Sequence, residues 1–343
     1  MTNIYLDSYL LAYPSSKNES VTIEDFEEYL ENLLSWRELR DVNWSDILIP
    51  KNTPNILMQY NNYPHWDDLK ISLSQTGLNQ IYQPKDIIEL VDNFLHLKTI
   101  EDAIGINDIL FDNVATSVDE NVGQRPATYL HELNRVLMLI SLNKYLFPSQ
   151  NENYLITRNI GNSLVEVNGE IHDCEFVNEG LINSFPLTIN GEIISCATLK
   201  DIILNIDPVN MWKNSRSIAG YIDALFIHVY QRMCFTGLDP ENMPNWSFGK
   251  EFIETCREHG FLNNETKIRT LLRTCTDTIL EVDLPATHAL RTGSGGDNPQ
   301  RKRGEDKAWR RDVDYEYHLH YWQTGRGHEL ASVVVHNDMS IPA

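Results

Sequence analysis

Asp314-Tyr-Glu-Tyr-His-Leu-His-Tyr-Trp322, then Gln323-Thr-Gly-Arg-Gly327, then His328-Glu-Leu-Ala-Ser-Val-Val-Val-His336 reads as two β-strands joined by a glycine-containing turn. Side chains alternate between the two faces of a strand. One face of the first strand therefore carries Tyr315, Tyr317, Leu319 and Tyr321, and one face of the second carries Ala331, Val333 and Val335. These are the expected core-facing sets. The opposite face carries Asp314, Glu316, His318, His320 and Trp322 beside His328, Leu330, Ser332, Val334 and His336. With the turn centred on Gly325, His318 is expected opposite Ser332, and Asp314 opposite His336.

Immediately upstream, Arg291-Thr-Gly-Ser-Gly-Gly-Asp-Asn-Pro299 is a glycine-rich loop. Gly293, Gly295 and Gly296 would let backbone N–H groups approach an anion, although no Gly-Lys-Ser/Thr follows to make a nucleotide-binding P-loop. Seven basic residues lie between Arg291 and Arg311 (Arg291, Arg301, Lys302, Arg303, Lys307, Arg310, Arg311) against three acids, inside a chain of formal net charge −21. An acidic body repels bulk nucleic acid, which disfavours general DNA coating; one basic strip suits a single phosphate-bearing ligand, and equally a solvated loop or a strip docked onto the protein's own acidic surface.

Farther back the pattern is helical. Asn264 caps a helix through Leu280 with Ile268, Leu271, Leu272 and Cys275 inward. Phe248 to His259 forms its partner, stopped by Gly260, so a helical hairpin is expected. Ser217 to Met233 is a further helix. Before these, Leu164-Val-Glu-Val-Asn-Gly-Glu-Ile171 and Leu187-Thr-Ile-Asn-Gly-Glu-Ile193 each place Asn-Gly between alternating segments, the usual sign of a tight hairpin turn. The first 150 residues read as mainly helical, with helices opening at Thr22, running over about 85–97, and spanning 127–146. The expected class is α+β, with a mainly helical region over 1–150, a β-hairpin region over 151–207, and a C-terminal region over 208–343 that joins a helical hairpin to an antiparallel sheet.

Five scattered cysteines, with no C-x-x-C pair, argue against a disulfide framework or a cysteine zinc site and suit buried thiols in a reducing cytoplasm. No run long enough to span a membrane occurs, and the opening Met1-Thr-Asn-Ile-Tyr-Leu-Asp lacks the basic start of a signal peptide. Cytoplasmic localisation and no membrane partner are expected.

Five of eleven histidines fall at the C-terminal end: His288, His318, His320, His328 and His336. Histidine titrates near neutrality, so a group of them supplies both acid and base, and arginines can bear the charge of a phosphorane-like transition state. Metal-free RNA cleavage needs those components. The expected catalytic residues are His318, His320, Arg310 and Tyr321, with Arg291, Arg301, Lys302, Arg303, Lys307 and Arg311 contacting phosphate. No cofactor or metal is expected on this reading. A second chemistry uses His318 and His320 as ligands of one metal, with His336 or Asp338 completing the set, in a metal-dependent nuclease.

Tyr317-His-Leu-His-Tyr321, the Gly325–Gly327 turn, Ala331-Ser-Val-Val-Val-His336 and Ile341-Pro342 together resemble the terminal sheet of the RelE/HigB-type ribosome-dependent RNase toxins. The resemblance covers about 30 residues and implies a small RNase sheet with preceding helices, cleaving mRNA, with His318, His320 and Tyr321 on the catalytic strand. A lysine-rich ending usual in those toxins is replaced by His336-Asn-Asp-Met. The expected function is an endoribonuclease effector of toxin or anti-phage type, with RNA favoured over DNA as partner. The alternative is a non-catalytic subunit of a bacterial defence complex, binding nucleic acid or a protein partner.

Overall fold

A computed structural model describes residues 2–14, 22–38, 44–117, 125–148, 152–158, 162–177, 182, 184–282, 286–293 and 297–343. The chain divides into two compact units, Met1–Ile202 and Ile203–Ala343, and the class is α+β. The break expected at residue 150 lies inside the first unit, while the one expected at 207 falls close to the observed boundary.

In the first unit the elements run β1 (Thr2–Leu6), α1 (Ile23–Glu38), β2 (Ser45–Leu48), α2 (Thr53–Gln59), α3 (Trp66–Thr76), α4 (Pro84–Leu95), α5 (Ile100–Ile104), β3 (Ile106–Thr116), α6 (Ala127–Leu146), β4 (Asn153–Ile156), β5 (Ser163–Phe176) and β6 (Leu187–Cys196), with α7 (Leu199–Asn205) following. The sheet order is β2-β1-β4-β6-β5-β3. β2, β1, β4 and β6 run parallel, and β5 and β3 continue antiparallel. The region expected to be mainly helical thus contributes three strands. All five residues of β1 are buried, so it lacks the polar alternation that marks a half-exposed strand. Helix α1 opens as expected: Thr22 and Asp25 cap each other's backbone N–H groups at 3.0 and 3.1 Å.

The two Asn-Gly pairs are not turns. β5 and β6 run straight through them, and the strands pair so that Asn168 faces Asn190, with Gly169 against Ile189 and Val167 against Gly191. The glycines serve a close approach of α6 instead. A Cβ on Gly169 would lie 2.8 Å from the Met138 sulfur, and one on Gly191 3.2 Å from Ser141 Oγ. Met138 and Ser141 belong to α6, whose buried residues include Leu133, Val136, Leu137 and Ile140 packed with Val165, Val167 and Ile193 of the sheet. Each such aliphatic side chain contributes roughly 1.5–3 kcal/mol by leaving water.

The second unit contains α8 (Pro208–Asn214), α9 (Ile218–Phe235), β7 (Trp246–Phe248), α10 (Phe252–Glu258), α11 (Glu265–Ile279), β8 (Thr287–Ala289), β9 (Lys302–Arg303), β10 (Asp306–Asp312), β11 (Tyr317–Thr324) and β12 (Gly327–Val335). The expected helical hairpin is present: Gly260 takes φ of 77° after α10, and the Asn264 side chain accepts the Lys267 N–H at 3.1 Å to start α11. The sheet order is β7-β12-β11-β10-β8, with β9 on β10. Helices cover one sheet face. Trp212, Phe252, Phe261, Leu271 and Leu272 pack there against Tyr317, Leu319 and Val333. Gly295 and Gly296 of the glycine-rich loop lie outside the described residues.

The hairpin of β11 and β12 exists, with its register moved by two residues from expectation: His318 pairs with Val334, and His320 with Ser332. A bulge after His320 brings Tyr321 opposite Leu330 and leaves Ala331 as the extra residue. The alternation of β12 therefore changes partway along. Leu330 and Val333 face the helices, but Ala331 joins Leu290, Ala308 and Trp322 on the other side, and Val335 is 45% exposed. Tyr315, expected in the core, is 91% exposed.

Candidate functional site

His318, His320 and Arg310 lie on the sheet face turned away from the helices. Directly opposed residues of neighbouring strands share a face. In β10 and β11, Asp312 opposes His318 and Arg310 opposes His320, while Arg310 also opposes His288 of β8 and His320 opposes Ser332 of β12. His318, His320 and Ser332 are all at most 1% exposed. The face opposite the expected core-facing set is thus buried at its centre.

The covering element is the segment after β12. The Ser340 carbonyl accepts the Nδ1–H of His320 at 2.7 Å, and the Pro342 carbonyl accepts the indole N–H of Trp322 at 2.8 Å. Met339 and Ile341 pack on Leu290, Ala308, Trp322 and Ala331. The bond to Ser340 fixes the neutral ring of His320 with its hydrogen on Nδ1, leaving Nε2 as a lone pair, buried and without a hydrogen-bond partner. Burial pushes the His320 pKa down to about 4. As a general acid at neutral pH, His320 is therefore in the wrong protonation state.

His318 is placed differently. Its Nε2 lies 2.8 Å from Asp312 Oδ1, and its Nδ1 is buried with no partner. Burial lowers its pKa, opposed by Asp312, with His336 and Arg310 adding to the lowering. The exposed His336 ring sits over it, centroids 4.2 Å apart and planes 32° from parallel. His318 and His320 are stacked at a longer 6.2 Å. One ligand atom from each of Asp312, His318 and His336 lies within 4.8 Å of the other two. Arg310, on the same face, reaches the Met339 sulfur at 3.8 Å, and its Nε has no hydrogen-bond partner.

Of the four expected catalytic residues, His318, His320 and Arg310 share this face and Tyr321 does not. Tyr321 points into the helical side, 6% exposed, and burial raises its pKa to about 12. His328, also expected beside His318, packs against Tyr321 with its Nε2 3.4 Å from Glu281. The basic strip is largely consumed internally. Arg311 is 3% exposed, bonds the Val282 carbonyl at 2.8 Å and approaches Asp277. Arg303 grips both carboxylate oxygens of Glu329 at 3.0 and 2.7 Å, meets Asp306, and lies over the Trp322 ring. Arg291 and Arg301 bond the Asn298 and Arg291 carbonyls, shaping their own loop. Lys302 and Lys307 remain exposed.

Asp312 lies before the strand that the sequence pattern predicts to begin at Asp314, so strand alternation alone does not bring it to His318. Asp314 instead shapes the β10–β11 turn, accepting the N–H groups of Glu316 and Tyr317 at 2.8 and 2.9 Å. The available signal was the pair Asp312-Val-Asp314: one acid turns the chain, and the other ends the preceding strand. A second group, Asp112, Glu170 and His172, lies on β3 and β5 of the first unit, with His172 Nε2 2.8 Å from Asp112; none of the three is buried. Comparison of the chain with protein-family models, curated proteins and solved structures gives no match, so the site stands on its own geometry.

Proposed function

We propose that the second unit is an RNA-cleaving effector whose reacting group is Asp312, His318 and His336, with Arg310 placed to carry phosphate charge. The observation that carries this reading is the buried His318 ring, held by a carboxylate at 2.8 Å, left with a free ring nitrogen and overlaid by a second imidazole. A carboxylate that fixes an imidazole sets its tautomer and raises its basicity, and a second imidazole supplies the opposite proton transfer. Arg310 adds a cation for the negative charge that grows on a phosphoryl group. Asp312 and His336 are exposed, so a substrate meets these two before His318. Such an activity in a cell would be that of a toxin or a defence effector.

His336 takes the part first expected of His320, since the latter is bonded to Ser340 and holds no proton on Nε2. The test is cleavage of labelled RNA, with single-stranded DNA alongside, by the whole protein and by its Asp312→Asn and His336→Ala variants. Each variant is expected to lose at least about 100-fold in rate, the order of one acid–base group. RNA that is bound and never cut would end the enzymatic reading and leave a binding subunit.

A further inference from the structure

We infer that Asp312, His318 and His336 form a site for one divalent transition-metal ion of the zinc class, with at least one coordination position open to solvent. The inference rests on the proposed cleavage site and gives its residues another role: with an ion bound, His318 and His336 would be ligands and ion-bound water would take over the proton transfer assigned to them above, and ion binding is measured apart from cleavage. Two imidazole nitrogens and one carboxylate oxygen form a donor set that suits zinc and its first-row neighbours, whereas magnesium and calcium prefer all-oxygen shells.

The three donors are brought together by long-range structure. Asp312 ends β10, His318 lies directly across from it on β11, and His336 follows Val335, the last residue of β12. Zinc bonds of about 2.0–2.2 Å at tetrahedral angles put donors about 3.3 Å apart. The His318–Asp312 pair stands at 2.8 Å and every donor pair lies within 4.8 Å, so closing on an ion takes shifts of at most about 1.5 Å. The residues that must move are able to. Asp312 has a half-exposed side chain and His336 is exposed, while the 1%-exposed His318 is the fixed point.

His318 is more than a solvated surface histidine. Its side chain is 1% exposed and its Nε2 already faces the Asp312 carboxylate at 2.8 Å, so one ligand atom is held in place before an ion arrives. For Nε2 to take the ion, the hydrogen it now directs at Asp312 passes to Nδ1, which is free to receive it; a neutral ring makes that exchange with no net loss of a proton.

Charge determines what fills the open position. One carboxylate against a dication leaves the site at +1, and Arg310 on the same face adds another positive charge. The fourth ligand is therefore an anion: hydroxide from ionised water, or a phosphoryl oxygen. Three protein ligands and one exchangeable position form the pattern of catalytic zinc, whereas structural zinc has all four positions filled by protein.

The experiment is calorimetric titration of the full chain, stripped with chelator and dialysed, with zinc chloride alone. Cobalt(II) is titrated in parallel, for the visible absorption of a four-coordinate ion. The expected result is one ion per chain and a tetrahedral cobalt band. Asp312→Asn and His336→Ala should each weaken binding by at least about tenfold, the loss that even an outer partner of a metal causes. Both positions are exposed, so the fold survives, which circular dichroism checks. His172→Ala, in the other histidine–carboxylate group, should leave binding unchanged. Absence of zinc binding, or binding that survives both site variants, or binding lost with His172→Ala, overturns the assignment. Zinc bound as expected with RNA left intact would instead overturn the proposed cleavage and leave the metal site standing.

Discussion

Gly327 has φ of 132° at the start of β12, and a Cβ there would lie 1.9 Å from the Asn245 carbonyl oxygen. That carbonyl accepts the His328 N–H at 3.1 Å, alongside the pairing of β7 with β12. No rotamer relieves a clash between Cβ and backbone. Gly327→Ala is expected to destabilise the second unit by roughly 2–4 kcal/mol, combining backbone strain with a broken strand contact. Gly325, two residues earlier in the same turn, has nothing within 4 Å of its Cβ position and no positive φ. Gly325→Ala should stay within about 0.5 kcal/mol of the parent in urea unfolding. Equal losses at the two positions would refute this account of the turn. Sequence alone presents both as turn glycines. What separates them is the neighbouring β7, whose pairing is parallel and comes from a distant part of the chain.

Elements that their own residues decide match their sequence signals. The 127–146 helix, the Asn264 cap and the Gly260 stop all stand as expected, because capping and helical periodicity lie within one short window. The β11–β12 hairpin was legible for the same reason. Signals that depend on what lies above or beside the element misled. Asn168-Gly169 and Asn190-Gly191 carry turn chemistry, yet α6 resting on the sheet is what requires those glycines. His318 and His336 were found by strand parity, but Asp312 needed the β10–β11 register, and the burial of His320 needed the segment that folds back over it. That segment gives a direct test. Replacing Met339 and Ile341 with serine removes the apolar cover on Trp322 and Ala331 and should cost about 1–3 kcal/mol. It should also let water reach His320, whose low pKa is caused first by burial. Imidazole NMR titration is expected to show that pKa rising from about 4 toward the ordinary 6.5. An unchanged titration would mean that the strands themselves bury the ring and that the segment merely rests on them.

For the molecule as a whole, the two units carry buried ionisable groups of opposite sense, so their stabilities should respond oppositely to pH. In the first unit, burial raises Glu132 from 4.5 to about 7, although Arg135 lies 3.6 Å away. Between those values the folded state holds a proton that the unfolded chain has lost, so stability falls as pH rises from 4.5 to about 7. In the second unit, burial depresses both His228 and His320 from 6.5 to about 4. There the unfolded chain binds the extra protons, so stability is fully present above pH 6.5 and is lost as pH falls toward 4. Each group on its own is worth on the order of 3 kcal/mol across its window. His318 and His328 are shifted downward as well and add to the acid sensitivity of the second unit. Each unit has its own hydrophobic cluster, so each can melt as a cooperative transition of its own. Calorimetric scans should show the transition of the second unit moving up from pH 4.5 to 7 relative to that of the first. Glu132→Gln keeps the side chain's volume and removes its charge. It should raise the first unit's melting temperature at pH 8, have little effect at pH 4.5, and leave the second transition where it was. A stabilisation equal at both pH values would show that Glu132 is disfavoured by its packing and not by its charge.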